Sequence, residues 1–227
     1  MVRRWIDLAL AAIALVAAAP LLAAAALGIR LASPGPILYR APRVGRRGTR
    51  FMMYKLRTMH AGNGAQRNGS VITAHQDPRV FPFGSLLRRT KLDELPQLLN
   101  VLRGDMAIIG PRPEDPRIVD AHYTPFERET LEVRPGLASP GSIYNYTHGD
   151  TLLAGDDPER AYVDRLLRVK LALDVVYVRR VSFAYDLAIM GRTLRVIVAM
   201  LLGRREFPDP PEMDTARRLL AEAEVRA

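Results

Sequence analysis

At 227 residues the chain is long enough for one ordinary domain with its own core, plus appendages. Lys and Arg outnumber Asp and Glu by 33 to 24 and the sequence pI is near 10.3, which favours an anionic partner: nucleic acid, anionic lipid or a phosphorylated substrate. The absence of cysteine excludes disulfides and thiolate metal sites, and His60, His75, His122 and His148 are too scattered for zinc.

The first element is apolar. From Leu8 to Ile29, 22 residues carry no charge, enough for a helix to cross a hydrocarbon core of roughly 30 Å. Three readings are open. A cleaved signal peptide fits Arg3-Arg4 ahead of small residues, but the run outlasts the usual apolar region of about 7–15 residues. A simple span fits the length, yet Arg3 and Arg4 before it and Arg30, Arg40, Arg43, Arg46, Arg47 and Arg50 after it put the cytoplasmic mark on both sides. In the third reading Pro20 breaks the helix in mid-run, so that it enters and leaves the bilayer on one side. A mere kink is the plain alternative.

Ser33-Pro34-Gly35-Pro36 ends that helix. Ile37–Tyr39 and Phe51–Thr58 then read as the strands of a hairpin around Gly45–Gly48. In an extended segment Lys55 and Arg57 share one face, with Met52, Tyr54 and Leu56 on the other. A cationic face suits a phosphate, and a solvated strand face is at least as good a reading. Residues 60–79 look like a mobile loop or lid.

Ser85 is placed to cap a short helix. Thr90-Lys91-Leu92-Asp93 has the spacing of a helix-start box, and Pro96 belongs in a first turn, so a helix is expected from Leu92 or Asp93 to Gly104. Its buried face would be Leu95, Leu98, Leu99 and Leu102. Asp93 and Glu94 then lie at a helix N-terminus. They either cap it, worth on the order of 1 kcal/mol, or do chemistry: a carboxylate can attack phosphorus, and Mg²⁺ takes carboxylate oxygens while bridging to substrate phosphates. Cations such as Arg88 and Arg112 would neutralise the transferring group. Spacing alone leaves the two readings even.

A helix of mixed charge is expected from Asp156-Asp157-Pro158 to about Arg180, and another over Tyr185–Leu202. In the latter Leu187, Met190, Leu194, Ile197, Val198 and Leu201 share a face opposite Arg192 and Arg195. That face fits either a core or an anionic bilayer surface. Phe207–Pro211 reads as a linker, and Asp214–Val225 as a short charged helix compatible with self-association as a homodimer.

Three stretches carry a resemblance: Tyr54-Lys55-Leu56-Arg57-Thr58-Met59, the run from Leu92-Asp93-Glu94-Leu95-Pro96-Gln97 to Gly104-Asp105-Met106, and Gly110-Pro111-Arg112-Pro113. They closely resemble the bacterial sugar transferases, the monotopic polyprenyl-phosphate phosphoglycosyl transferases. The likeness runs on through Val133-Arg134-Pro135-Gly136, Asp174-Val175-Val176-Tyr177-Val178 and Asp186-Leu187-Ala188-Ile189-Met190. It implies transfer of a sugar-1-phosphate from a UDP-sugar to undecaprenyl phosphate, with UMP released, a covalent phosphosugar intermediate and Mg²⁺. By position it implies Asp93 as nucleophile, Glu94 as its partner at the metal, Lys55, Arg88 and Arg112 as phosphate-binding cations, and Pro20 as the break of a re-entrant helix. Residues 137–150 depart from the family pattern, an arginine there having no counterpart. Tyr144, Asn145, Tyr146 and His148 occupy that loop, where sugar or nucleotide preference is expected to be read.

The sequence thus predicts a mainly helical α+β fold: a re-entrant membrane helix (1–32), a catalytic domain (33–205) with a small β-hairpin and interfacial helices, and a linker with a charged helix (206–227). It would be monotopic on the cytoplasmic face of the inner membrane, with Lys55 and Arg57 binding phosphate and no nucleic-acid partner. The rival from another class is a non-catalytic basic protein binding lipid or nucleic acid. It explains the charge, but not two acids inside an arginine cluster.

Overall fold

A computed structural model describes residues 2–60, 77–153 and 157–226. The apolar run forms one helix, α1 (Val2–Ala32), that passes through Pro20 without interruption. The expected break is thereby corrected: proline removes one intrahelical bond, but the alanines and leucines around it are strong helix formers.

α1 lies against the rest of the chain. Ala11, Ala18, Ala25 and Ile29 are buried, and small side chains let the backbones approach. Ala11 and Leu15 pack with Leu98, Val101 and Met106, while Leu22, Ala25 and Ile29 pack with Leu56, Phe81 and Leu87. Polar groups fasten both ends. Arg3 pairs with Asp186 and donates to the Tyr177 hydroxyl at 2.9 Å. Arg4 donates to the carbonyls of Leu102 and Met106 at 3.3 and 3.4 Å, and Asp7 accepts from the Ile108 N–H at 3.2 Å. At the far end Arg57 donates to the carbonyls of Ser33 and Pro34, both at 2.6 Å. Trp5, Ile13, Val16, Leu21, Leu27 and Leu31 face outward.

The hairpin forms as predicted, with a longer first strand and a second that ends at Leu56, before Thr58: β1 (Leu38–Val44) and β2 (Arg50–Leu56) pair antiparallel, Arg40 opposite Tyr54 and Ala41 opposite Met53. Pro42 is tolerated because a two-stranded sheet leaves every strand an edge. The loop expected at 60–79 falls mostly outside the described residues, 61–76 among them.

α2 (Pro82–Arg89) begins on Pro82, whose fixed φ suits a first turn, so Ser85 is inside the helix and caps nothing. α3 (Gln97–Arg103) ends on Gly104 as expected, at φ 97°. It starts later than predicted, because Lys91 adopts a left-handed conformation (φ 59°) and Leu92–Glu94 make a separate tight turn. Its inward face is also different: Gln97, Leu98, Asn100 and Val101 are buried, whereas Leu95, Leu99 and Leu102 are only partly so.

β3 (Ala107–Ile109) and β4 (Gly136–Ala138) pair in parallel. The short helices α4 (Pro116–His122) and α5 (Pro125–Arg128) connect them. The segment expected to be a loop after β4 is instead α6 (Pro140–Leu152), since Ser139 caps it by accepting from the Ser142 N–H at 2.9 Å.

α7 (Pro158–Ala161), a wide turn over Tyr162–Leu167 and α8 (Arg168–Arg179) occupy the next predicted helix, and α8 is the centre of the largest core cluster. In α9 (Phe183–Leu201) Leu187, Met190, Leu194, Val198 and Leu201 are exposed and only Ile189 is buried. The apolar face thus turns outward, like that of α1. α10 (Met213–Arg226) packs on α8 through Met213 and Ala216. Glu212, just before it, accepts from Arg192 at 2.6 and 2.8 Å and from Tyr185 at 2.7 Å. Among the described residues one helix, α1, is long and apolar enough to cross a membrane.

Candidate active site

Asp93 and Glu94 sit on the tight turn between α2 and α3. α2 is stopped by Thr90, whose hydroxyl bonds back to the Leu86 carbonyl at 2.9 Å. The left-handed Lys91 then swings the chain so that both acids point inward, and the side chain of Asp93 is almost wholly buried.

Three other elements meet this turn. β2 brings Lys55, whose Nζ lies 3.4 Å from Glu94 Oε1. The loop after β3 brings Arg112, which donates Nη2 to Glu94 Oε1 at 2.6 Å and Nη1 to Oε2 at 3.0 Å, a two-pronged pair. α6 brings Tyr146, whose hydroxyl donates to Glu94 Oε2 at 3.2 Å and accepts from Arg112 at 3.3 Å. The Lys91 ammonium lies 4.0 Å from the centre of the Tyr146 ring. Arg88 is held by the Thr58 hydroxyl, which accepts from Nε at 2.8 Å, and its charge acts on Asp93.

The Arg112 loop is mounted rigidly. The Gly110 N–H donates to the Ala138 carbonyl and the Gly136 N–H to the Pro111 carbonyl, both at 2.9 Å. A Cβ on Gly136 would fall 2.2 Å from the Gly110 nitrogen, so only glycine permits this crossing. Behind it, buried Asp174 of α8 accepts from the Gly141 N–H at 2.9 Å and is stabilised by Ser139 and the Arg112 N–H. Glu114, two residues past Arg112, is paired with buried Lys170 and accepts from the Tyr162 hydroxyl at 2.5 Å.

The acids are driven apart electrostatically. Burial and the neighbouring Glu94 push Asp93 up from its ordinary value. Burial works in the same direction on Glu94, but Arg112, Lys55 and Lys91 outweigh it and hold that carboxyl well below the usual range. Burial also draws the Lys55 ammonium down, against the pull of Glu94. Burial and Glu94 raise the Tyr146 phenol, so its proton stays in place to be donated.

Of the residues singled out in the sequence, Lys55, Asp93, Glu94, Arg112 and Tyr146 come together, with Arg88 beside them. Arg57 does not join them: its guanidinium is spent on Ser33 and Pro34 at the end of α1. Tyr144 stacks on His148 with ring centres 4.4 Å apart, and His148 faces Asp209 at 3.6 Å, so this pair packs toward the C-terminal segment. The Asn145 amide oxygen lies against Gly149 within α6. Sequence reasoning gave no role to Lys91, Asp174 or the Glu114–Lys170–Tyr162 group. A buried acid four residues after a buried lysine on one helix was the available signal for the last two.

For a divalent cation the fit is uneven. Asp93 Oδ1 is buried and has no hydrogen-bond partner, as a ligand oxygen would be. Glu94 already meets four donor contacts, two from Arg112 and one each from Lys55 and Tyr146. These fill a carboxylate's four acceptor positions. No group of three or more metal-binding side chains occurs among the described residues.

Fold and site together define a mainly helical α+β protein that sets a cation-walled carboxylate pair beside an outward apolar helical surface. The chain belongs to the bacterial sugar transferase family, whose model matches residues 1–200. It is similar to a UDP-N-acetylgalactosamine-undecaprenyl-phosphate N-acetylgalactosaminephosphotransferase of Aeromonas hydrophila, with 34% identity over 199 residues (87% of this chain, 44% of the relative). A UDP-glucose:undecaprenyl-phosphate glucose-1-phosphate transferase of Caulobacter vibrioides is 38% identical over 197 residues (85% of this chain, 68% of the relative). An exopolysaccharide production protein of Rhizobium leguminosarum bv. phaseoli is 33% identical over 199 residues (86% of this chain, 94% of the relative). The chain spans less than half of the Aeromonas relative.

Proposed function

We propose that the chain transfers a sugar-1-phosphate from a UDP-sugar to undecaprenyl phosphate and so starts a surface glycan. The observation that carries this is the Asp93 carboxylate: buried, one oxygen without a partner, and flanked by cations placed to receive phosphate. The names of the Aeromonas and Caulobacter relatives supply the donor and acceptor classes.

In the first step an Asp93 oxygen attacks the donor's β-phosphorus, the bond from that phosphorus to the bridging oxygen breaks, and UMP leaves with the electron pair. In the second, an oxygen of the lipid phosphate attacks the same phosphorus and the aspartyl carboxylate departs unchanged. Arg88 and Arg112 face the charge that builds on the phosphoryl oxygens. Glu94, gripped by Arg112, Lys55 and Tyr146, fixes those cations in place and keeps the site's charge balanced before substrate arrives. Mg²⁺, held through Asp93 Oδ1, would offset the charge of the donor's diphosphate.

α1 supports a monotopic placement on the cytoplasmic face of the inner membrane. Its first turns are tied to residues 102–108 and 186 and its end is tied by Arg57, so both ends belong to one side of one body. The outward faces of α1 and α9 then meet lipid.

Asp93→Asn tests the chemistry. The amide keeps the shape but cannot form an acyl-phosphate, so UMP release from any accepted UDP-sugar is expected to vanish. Turnover near the wild-type rate would remove Asp93 from the nucleophile's role.

A further inference from the structure

We infer that Arg40, Tyr54 and Arg103 form a binding site for the phosphate of an anionic phospholipid, separate from the carboxylate site. The inference rests on the membrane placement of α1 and not on the aspartyl chemistry.

Arg40 and Tyr54 face each other across the hairpin and therefore project from the same side. Lys55, the next residue, projects from the other side, toward Glu94. Both guanidiniums lie within 6 Å of one ring centre: Arg103 at 4.9 Å, also donating to the Tyr54 hydroxyl, and Arg40 at 5.8 Å. The ring is buried, while both arginines are exposed.

Neither arginine has an acidic partner among the described residues. The contrast on the same two strands is informative: Arg43 is paired with Asp115 at 3.2 Å and Arg50 with Asp120 at 3.1 Å. The nearest acid in sequence to Arg103, Asp105, accepts instead from Asn100 at 3.1 Å. A third cation, Arg4 of α1, reaches the adjacent carbonyls of Leu102 and Met106. Uncompensated positive charge is thus gathered at one corner of the hairpin.

The surroundings point to lipid as the source of the phosphate. Leu38 and Met52, on the same side of the hairpin as Arg40 and Tyr54, are 40% and 45% exposed. An apolar rim around a cationic centre matches the headgroup–acyl boundary, and guanidinium forks suit phosphate oxygens. β1 also begins six residues after α1 ends, a tether of at most about 20 Å.

Trp5 is the chain's only tryptophan; it is exposed and adjacent to Arg4, which makes it a built-in reporter. The full chain and its R40Q/R103Q variant are placed in mixed phosphatidylcholine–phosphatidylglycerol vesicles with one lipid brominated at a time. In the wild type brominated phosphatidylglycerol should quench Trp5 in excess of its mole fraction. In the variant that preference should fall by roughly 30-fold, two arginine contacts of about 1 kcal/mol each being lost, with phosphatidylcholine quenching rising toward its mole fraction and detergent-phase melting unchanged. Arg40→Gln alone, whose side chain makes no hydrogen bond among the described residues, should lose about half of the effect in free-energy terms. Full preference retained by the double variant would overturn the site. So would equal competition by free inorganic phosphate, which would show an anion site without lipid. Absence of quenching by either lipid in the wild type would overturn the membrane placement itself, a distinct failure.

Discussion

Replacing Tyr146 by Phe deletes one hydroxyl at the centre of the carboxylate site. That hydroxyl gives a hydrogen bond to Glu94 at 3.2 Å and takes one from Arg112 at 3.3 Å, and both partners are charged. Such bonds are worth about 1.5–3 kcal/mol each. Both are long, and Arg112 keeps its own contacts to Glu94 at 2.6 and 3.0 Å, so about 1.5–3 kcal/mol is expected for the two together. At about 1.4 kcal/mol per decade, kcat/KM should drop roughly 10- to 150-fold. The Lys91 ammonium still finds an aromatic face on Phe, so the change isolates the hydroxyl. UMP release across a donor concentration series reads the effect, and thermal melting controls for folding. Wild-type kcat/KM in a folded Tyr146→Phe protein would refute the idea that this hydroxyl organises the acid–cation pair.

Two further outcomes follow from the geometry. Burial pushes the Asp174 carboxyl up to about 6, against about 3.9 in an unfolded chain. The native state therefore binds that proton more tightly, and stability from this group falls as pH rises from about 4 to about 6, by roughly 3 kcal/mol. Asp174→Asn should erase that loss, gaining on the wild type in urea midpoint between about pH 4 and about pH 6; parallel pH curves for the two proteins would contradict it. Because the chain has no cysteine, Val2→Cys and Leu31→Cys, at exposed positions near the two ends of α1, can be labelled singly in sealed vesicles. Both should react from the same side, and labelling from opposite sides would make α1 a true span.

The hairpin was legible because its turn carries two glycines between alternating strands, information that lies within about twenty residues. Asp93 and Glu94 were legible as a pair, but their setting was not: the helix-start pattern pointed to Leu92 or Asp93, and the left-handed Lys91 moved the start to Gln97. Tyr146 was named only as part of a loop. That loop is a helix started by the Ser139 cap and Pro140, a local signal; what no local pattern carries is its anchoring by Asp174, 33 residues away in the chain, which grips the Gly141 N–H. Likewise the alanine-rich α1 offers no periodicity to reveal the side on which it meets α3. Its burial depends on the small size of Ala11, Ala18 and Ala25. The outward face of α9 was legible as a stripe, but the sequence left open which way it turned, because an apolar stripe fits lipid and core alike.

The mounting of α6 has a consequence for how such a site can change. The helix is fixed at its first turn by contacts made mostly to main chain, the Ser139 cap and the grip of Asp174 on Gly141. One turn on, Ile143 and Tyr144 are buried and pack it against the core. It behaves as a replaceable tool in a fixed holder: exchanging Tyr146 alters what stands opposite Arg112 without re-aiming the helix. Variation at position 146 would therefore change what Glu94 and Arg112 meet, and with it the rate, without moving the backbone that carries it.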